Sequence, residues 1–170
     1  DPDGRTRALV KVQDGCDFRC AYCVVPAARG PSRSRPLREI LEEVRALVGA
    51  GFLEVVLTGA NIGCYDDGGQ KLVALLSAID RVRGLARFRI SSIELSTVER
   101  EVIDFMAGSE KFCRYLHLPL QSGDDIILRA MRRRYSTACY RALLEYAAGK
   151  LGRVGLGADV IAGFPGEDAD

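Results

Sequence analysis

The sequence has 170 residues, 48% of them apolar and 28% charged, which fits one globular unit and excludes disordered and collagen-like chains. Its 24 basic and 23 acidic residues leave a net charge of +1, a balance that neither proposes nor excludes a nucleic-acid partner. Apolar runs are too short for a membrane helix, no signal peptide opens the chain, and the start at Asp1-Pro2-Asp3, without a methionine, suggests an excised fragment.

Strand and helix patterns alternate along the chain. Residues 6–13 form the first expected strand. Directly after it comes Gly15-Cys16-Asp17-Phe18-Arg19-Cys20-Ala21-Tyr22-Cys23. Leu37, Ile40, Leu41, Val44, Leu47 and Val48 then follow helical i, i+3, i+4 spacing. Pro36 stands near the start of that helix, and Gly49 and Gly51 near its end. The second strand is Glu54–Thr58, with Val55, Val56 and Leu57 as its apolar run. Helical spacing returns at Leu72, Leu75, Leu76 and Ile79, before a third strand at residues 87–94. Val102, Ile103 and Met106 mark the next helix, and residues 115–121 the fourth strand. Tyr140, Leu143, Leu144 and Ala147 mark a last helix before a fifth strand at residues 154–161. Such alternation means βαβ units and a parallel sheet.

Strand polarity chooses between an open sheet and a barrel. A buried parallel strand is apolar on both faces. Here Leu9, Lys11 and Gln13 share one face, as do Ile90, Ser92 and Glu94, and His117, Pro119 and Gln121. Polar residues gather toward the carboxyl ends, where barrel enzymes keep their chemistry. The expected fold is therefore α/β, a partial TIM-like barrel with about five βα units, spanning residues 1–170 as one incomplete domain. The loop at Gly163-Phe164-Pro165-Gly166-Glu167-Asp168 reads as the entry to a further helix.

Six cysteines in a chain without an export signal argue for thiol or metal chemistry, and for a cytoplasmic location. Cys16, Cys20 and Cys23 can converge on one inorganic centre. A structural zinc site usually takes four ligands, and Cys64, Cys113 and Cys139 stand isolated in other units. Three thiolates suit a 4Fe–4S cluster with one iron left open to a substrate or cofactor atom. A zinc site and a non-catalytic electron-transfer module are the competing readings.

The CxxxCxxC spacing after the first strand, with Tyr22 before the last cysteine, resembles the signature of radical S-adenosylmethionine enzymes. Further segments resemble the methylthiotransferases among them: Arg29-Gly30-Pro31-Ser32-Arg33-Ser34-Arg35-Pro36, Leu57-Thr58-Gly59-Ala60-Asn61-Ile62-Gly63, Ser91-Ser92-Ile93-Glu94, His117-Leu118-Pro119-Leu120-Gln121-Ser122-Gly123, Met131-Arg132-Arg133-Arg134-Tyr135, and residues 159–167. The second-strand motif is most similar to the branch acting on N6-threonylcarbamoyladenosine at position 37 of tRNA. The branches acting on isopentenyladenosine in tRNA, or on an aspartate of a ribosomal protein, are the alternatives.

The resemblance implies a 4Fe–4S cluster on Cys16, Cys20 and Cys23. S-adenosylmethionine would bind to its open iron and be cleaved to a 5′-deoxyadenosyl radical. It also implies cofactor contacts from Tyr22, Thr58, Gly59, Ala60, Asn61, Ser92, Glu94, Gln121 and Asp159. Glu94 needs a partner inside a barrel, either the cofactor or a cation such as Lys11. Arg132 and its neighbours could orient the cofactor carboxylate. The family's amino-terminal domain, with a second 4Fe–4S cluster, and its carboxyl-terminal RNA-binding domain have no counterpart in these residues. Implied partners are the tRNA anticodon stem-loop and an electron donor such as a flavodoxin or ferredoxin, with no membrane. Arg29, Arg33, Arg35 and Arg38, and separately Arg132, Arg133 and Arg134, could grip RNA phosphates or simply face solvent. His117, the single histidine, reads as a satisfied interior residue rather than a base.

Overall fold

The computed structural model describes residues 6–168. The outermost residues of the 1–170 span therefore lie outside the described residues. The strands that build the site are β1 (Ala8–Lys11), β2 (Glu54–Thr58), β3 (Arg87–Ile90), β4 (Tyr115–His117) and β5 (Gly155–Gly157). The long helices between them are α1 (Leu37–Gly49), α2 (Leu72–Asp80), α3 (Arg100–Gly108) and α4 (Thr137–Leu151). β1, β2 and β3 pair in parallel, as do β4 and β5, and the bridges Phe88–Phe112 and Ser92–His117 join β3 to β4. Each strand thus lies beside its predecessor in the chain. That is the winding of a barrel; a doubly wound sheet would reverse direction partway.

Register explains which face is covered. Ala8 pairs with Val55 and Val10 with Leu57, while Val55 pairs with Phe88 and Leu57 with Ile90. All six side chains are buried and meet Ile40, Val44, Leu75, Leu76, Ile79, Val102, Ile103 and Met106 from the helices in one core. Each fully buried aliphatic or aromatic side chain contributes roughly 1.5–3 kcal/mol. The alternate residues form the other face: Leu9 pairs with Val56 and Val56 with Arg89, while Lys11 pairs with Thr58. This face is open, with Leu9 61% exposed. At its amino-terminal edge Glu54, nearly buried, collects Arg7 at 3.1 Å, Arg87 at 3.2 Å and Arg89 at 2.7 Å. An ion network rather than an apolar layer fills that end.

The regular strands are shorter than the sequence pattern predicts. The first, expected to run to Gln13, ends at Lys11, and Gln13–Asp14 turns away to pair antiparallel with Arg33–Ser34. Gln13 consequently does not share the open face of Leu9 and Lys11; it is 1% exposed. The third stops at Ile90, because Glu94 caps a short 3-10 turn, Leu95–Thr97, by accepting from the Ser96 amide. The fourth stops at His117, before Pro119, which has no N–H to give to a ladder. Parallel pairing resumes only as a bridge between Gln121 and Val160. No described helix is long and apolar enough to cross a membrane.

Candidate metal centre at the carboxyl ends of the strands

The cysteine loop leaves β1 through a tightly constrained turn. Gly15 has φ +68°, and a Cβ there would lie 2.0 Å from the Pro31 carbonyl oxygen. Only glycine permits both the left-handed backbone and that approach. The Cys16 amide donates to the Gly30 carbonyl at 3.1 Å, and the Ser32 amide to the Asp17 carboxylate at 3.1 Å. On its far side the loop rests on the segment before α4. The Ala21 amide donates to the Met131 carbonyl at 3.0 Å, and the Arg134 guanidinium lies 3.9 Å from the centre of the Phe18 ring.

Cys16, Cys20 and Cys23 are all free and half-buried. A cavity of about 500 Å³ opens beside them, lined by Cys16, Asp17, Arg19, Pro26, Gly30 and Pro31. No three or more His, Cys, Asp and Glu side chains among the described residues gather closely enough to hold a single metal ion. A zinc ion would need its ligands in one tetrahedral shell. A cubane instead takes each thiolate at a separate iron corner. Three free, unshared thiols on one pinned loop fit that second requirement and not the first.

Behind the loop sits a residue that the sequence reading did not select. The Gln13 carboxamide nitrogen reaches the carbonyls of Asp14 and Gly15 and the Ser32 hydroxyl, at 2.8–3.0 Å. Its oxygen accepts from the Asn61 amide at 2.8 Å. Gln13 therefore ties the cysteine loop to the turn after β2. Gly59 belongs to the same contact, since a Cβ there would meet Gln13 at 2.9 Å. Asn61 is buried, with its side-chain nitrogen 4.0 Å from Cys16 Sγ and its oxygen 3.2 Å from the Thr97 hydroxyl. Thr58 is half-buried and Ala60 exposed beside it. The only sequence signal for Gln13 was a buried-length amide next to the cysteine motif.

Opposite the loop, Glu94 is paired with Arg133, both side chains nearly buried. Lys11, one cation considered for Glu94, bonds Asp14 instead at 3.1 Å. Arg133 also donates to Tyr135 Oη at 3.1 Å and to Tyr22 Oη at 3.2 Å, and its Nη1 lies 3.6 Å from Cys20 Sγ. Burial alone would lower the guanidinium's affinity for its proton, but Glu94 outweighs it and the net shift is upward. The Tyr22 hydroxyl is pushed up to about 12 by burial, against the pull of Arg133.

Ser92, His117 and Asp159 form a chain along the mouth. Ser92 Oγ lies 2.8 Å from His117 Nδ1, and His117 Nε2 lies 3.3 Å from Asp159. Both ring nitrogens are satisfied, as expected for an interior histidine. Gln121, nearly buried, holds φ 70°, and its amide donates to the Asp159 carbonyl at 2.9 Å. A non-glycine residue in that region is uncommon and concentrates at functional sites.

The remaining basic residues face solvent in pairs. Arg29 and Arg33 flank Asp14, Arg35 bonds Glu43, and Arg38 bonds Glu42. Cys64 is half-buried near Cys16, and burial, then the Cys16 charge, push its thiol up. Cys113 and Cys139 are not joined to the motif.

Comparison with known proteins bears on this arrangement. A family model described as "Radical SAM superfamily" matches residues 10–170. A threonylcarbamoyladenosine tRNA methylthiotransferase of Bacillus subtilis is 43% identical over 96% of this chain and 37% of its own length. A relative of the same description from Chlamydia pneumoniae is 41% identical over 97% of this chain and 39% of its own length. A tRNA-2-methylthio-N(6)-dimethylallyladenosine synthase of Carboxydothermus hydrogenoformans is 42% identical over 95% of this chain and 37% of its own. The chain thus spans less than half the length of these relatives. Among solved structures, the radical S-adenosylmethionine methyltransferase TsrM of Kitasatospora setae superposes with a TM-score of 0.76 at 20% identity, over 94% of this chain and 32% of that one. OxsB, a cobalamin-dependent S-adenosylmethionine radical enzyme, superposes with a TM-score of 0.74 at 13% identity, over 90% of this chain and 23% of that one. At such identities the likeness supports the fold alone.

Proposed function

The chain belongs to the radical SAM superfamily, and on that premise we propose that it is the S-adenosylmethionine-cleaving core of a tRNA methylthiotransferase. The target is C2 of N6-threonylcarbamoyladenosine at position 37, which receives a methylthio group. The observation that carries this reading is the trio Cys16, Cys20 and Cys23 on a loop fixed from both sides, free of disulfides and without a fourth ligand among the described residues. When bound, a 4Fe–4S cluster would supply the electron that cleaves the sulfonium of S-adenosylmethionine, giving a 5′-deoxyadenosyl radical.

The chain's own residues hold and orient. Cys16, Cys20 and Cys23 hold the cluster. Thr58, Gly59, Ala60 and Asn61 offer polar atoms and close backbone approach to the cofactor's methionine end. Ser92, Glu94, Gln121 and Asp159 line the strand ends where its nucleoside would lie, and Tyr22 borders the loop. His117, fixed between Ser92 and Asp159, keeps two of those groups in place. The barrel wall keeps water from the reacting carbon.

In the full-length protein the partners are tRNA, bound through its anticodon stem-loop, and a flavodoxin- or ferredoxin-type electron donor. A second 4Fe–4S cluster lies outside these residues, and the setting is the cytoplasm. The dimethylallyl branch is the second reading, because the Carboxydothermus hydrogenoformans relative matches at 42% identity, as closely as the threonylcarbamoyl relatives. Anaerobic reconstitution with iron and sulfide, followed by dithionite and S-adenosylmethionine, should yield 5′-deoxyadenosine. An iron-loaded sample that yields none leaves a non-catalytic metal-binding module and overturns the enzyme reading. Nucleoside mass spectrometry of the full-length protein's products on tRNA bearing each precursor separates the two branches.

A further inference from the structure

We propose that Arg133 is a positioning residue for the cluster. In this role it donates a charged hydrogen bond to the Cys20 sulfur and raises the cluster's reduction potential, while Glu94 limits the size of that effect. The inference rests on the reading of Cys20 as a cluster ligand.

The geometry is over-determined. Every nitrogen of the guanidinium is engaged: Nε by Tyr135, Nη1 by Cys20 and Tyr22, and Nη2 by Glu94. The side chain is 6% exposed. Its carbon lies 4.9 Å from the centre of the Tyr135 ring. Tyr135 is itself anchored, its hydroxyl 2.9 Å and 2.7 Å from the Pro119 and Leu120 carbonyls. The backbone aims the residue inward. Arg132 takes φ 60°, and the Arg133 amide donates to the Leu128 carbonyl at 2.9 Å. Its neighbour Arg134 lies over Phe18 of the cysteine loop. A guanidinium held from three sides, with one N–H left for sulfur, is not serving stability alone.

The chemistry fixes the sign. A cluster gains negative charge on reduction, so a cation that donates to a ligating thiolate stabilises the reduced state more than the oxidised one. Hydrogen bonds to the sulfurs and net local charge are among the factors that set such potentials, and charge-assisted bonds are the stronger kind. Glu94 opposes the effect, because its carboxylate offsets the guanidinium charge beside the same sulfur. The two partners should therefore act in opposite directions. A purely structural role for the pair would move both variants the same way, since breaking either side disrupts the same contact.

The test is a potentiometric titration, followed by electron paramagnetic resonance, of the anaerobically reconstituted chain with its iron content measured. Arg133→Gln should shift the midpoint potential to more negative values. Glu94→Gln should shift it to more positive values. Arg133→Lys should fall between Arg133→Gln and the wild type. Arg38→Ala, which removes one exposed arginine, should leave the potential unchanged. Loaded variants whose potentials match the wild type, or shift together in one direction, overturn the proposal. If Arg133→Gln fails to load, the Glu94→Gln direction decides by itself: upward supports, unchanged or downward overturns. A wild type that binds no iron overturns the cluster reading and this proposal with it, which separates the two failures.

Discussion

Gly15→Ala isolates how the cysteine loop is held. Two costs fall on that position. An alanine at φ +68° enters the left-handed region at roughly 1–2 kcal/mol. The added methyl would also sit 2.0 Å from the Pro31 oxygen and 2.7 Å from the Gly30 oxygen. Both are backbone atoms, so no rotamer change relieves the contact. The loop must move away from residues 30–31 and give up the bond from the Cys16 amide to Gly30, worth about 0.5–1.5 kcal/mol. Gly15→Ala should then destabilise by about 2–4 kcal/mol. Gly51→Ala is the control. Its φ is +97°, but nothing lies within 4 Å of the added carbon, so only the backbone term of about 1–2 kcal/mol applies. Urea unfolding of both variants measures the difference as a shift in midpoint at constant slope. Iron content after reconstitution should fall in Gly15→Ala and hold in Gly51→Ala. Equal midpoints and equal iron would refute the idea that residues 30–31 fix the loop.

Three further outcomes follow from the site and the ion networks. Glu54→Ala leaves Arg7, Arg87 and Arg89 facing one another without an anion. The expected loss is about 2 kcal/mol, below the figure for a fully buried pair because Arg7 and Arg87 are more than half exposed; thermal unfolding measures it, and an unchanged midpoint would show the network contributes nothing. The Asp14 carboxyl is held down from 3.8 to about 2, first by the Gly15 amide and then by Lys11. A lowered folded value means that its contribution is complete above pH 4 and is lost as the pH falls toward 2. Acid unfolding of the wild type should therefore converge on that of Asp14→Asn across that interval, and parallel curves would contradict it. His117→Ala frees both Ser92 and Asp159 from their shared partner. At about 1 kcal/mol per lost hydrogen bond, S-adenosylmethionine affinity of the loaded protein should fall roughly fivefold, read by equilibrium binding at unchanged iron content.

The sequence by itself determined the alternation of strands and helices, the parallel winding, and the three cysteines after the first strand. These are local facts. Helical spacing repeats within a few residues, strand faces alternate by two, and ligands separated by three and two residues are brought into reach by the covalent chain alone. Strand lengths were less legible, because ladders end where Pro119 lacks a donor, where Glu94 caps a turn and where Gln13–Asp14 finds Arg33–Ser34. The partners of the polar residues belonged to the tertiary structure. Glu94 meets Arg133 across 39 positions, and Gln13 meets Asn61 across 48. Neither pairing leaves a periodic trace in the chain. Alternation put Gln13 in the open barrel and packing buried it, since one turn of the backbone after Lys11 rotates every later side chain. A buried amide or carboxylate is bound to find a partner; which one it finds depends on how the strands register and how the loops cross above them.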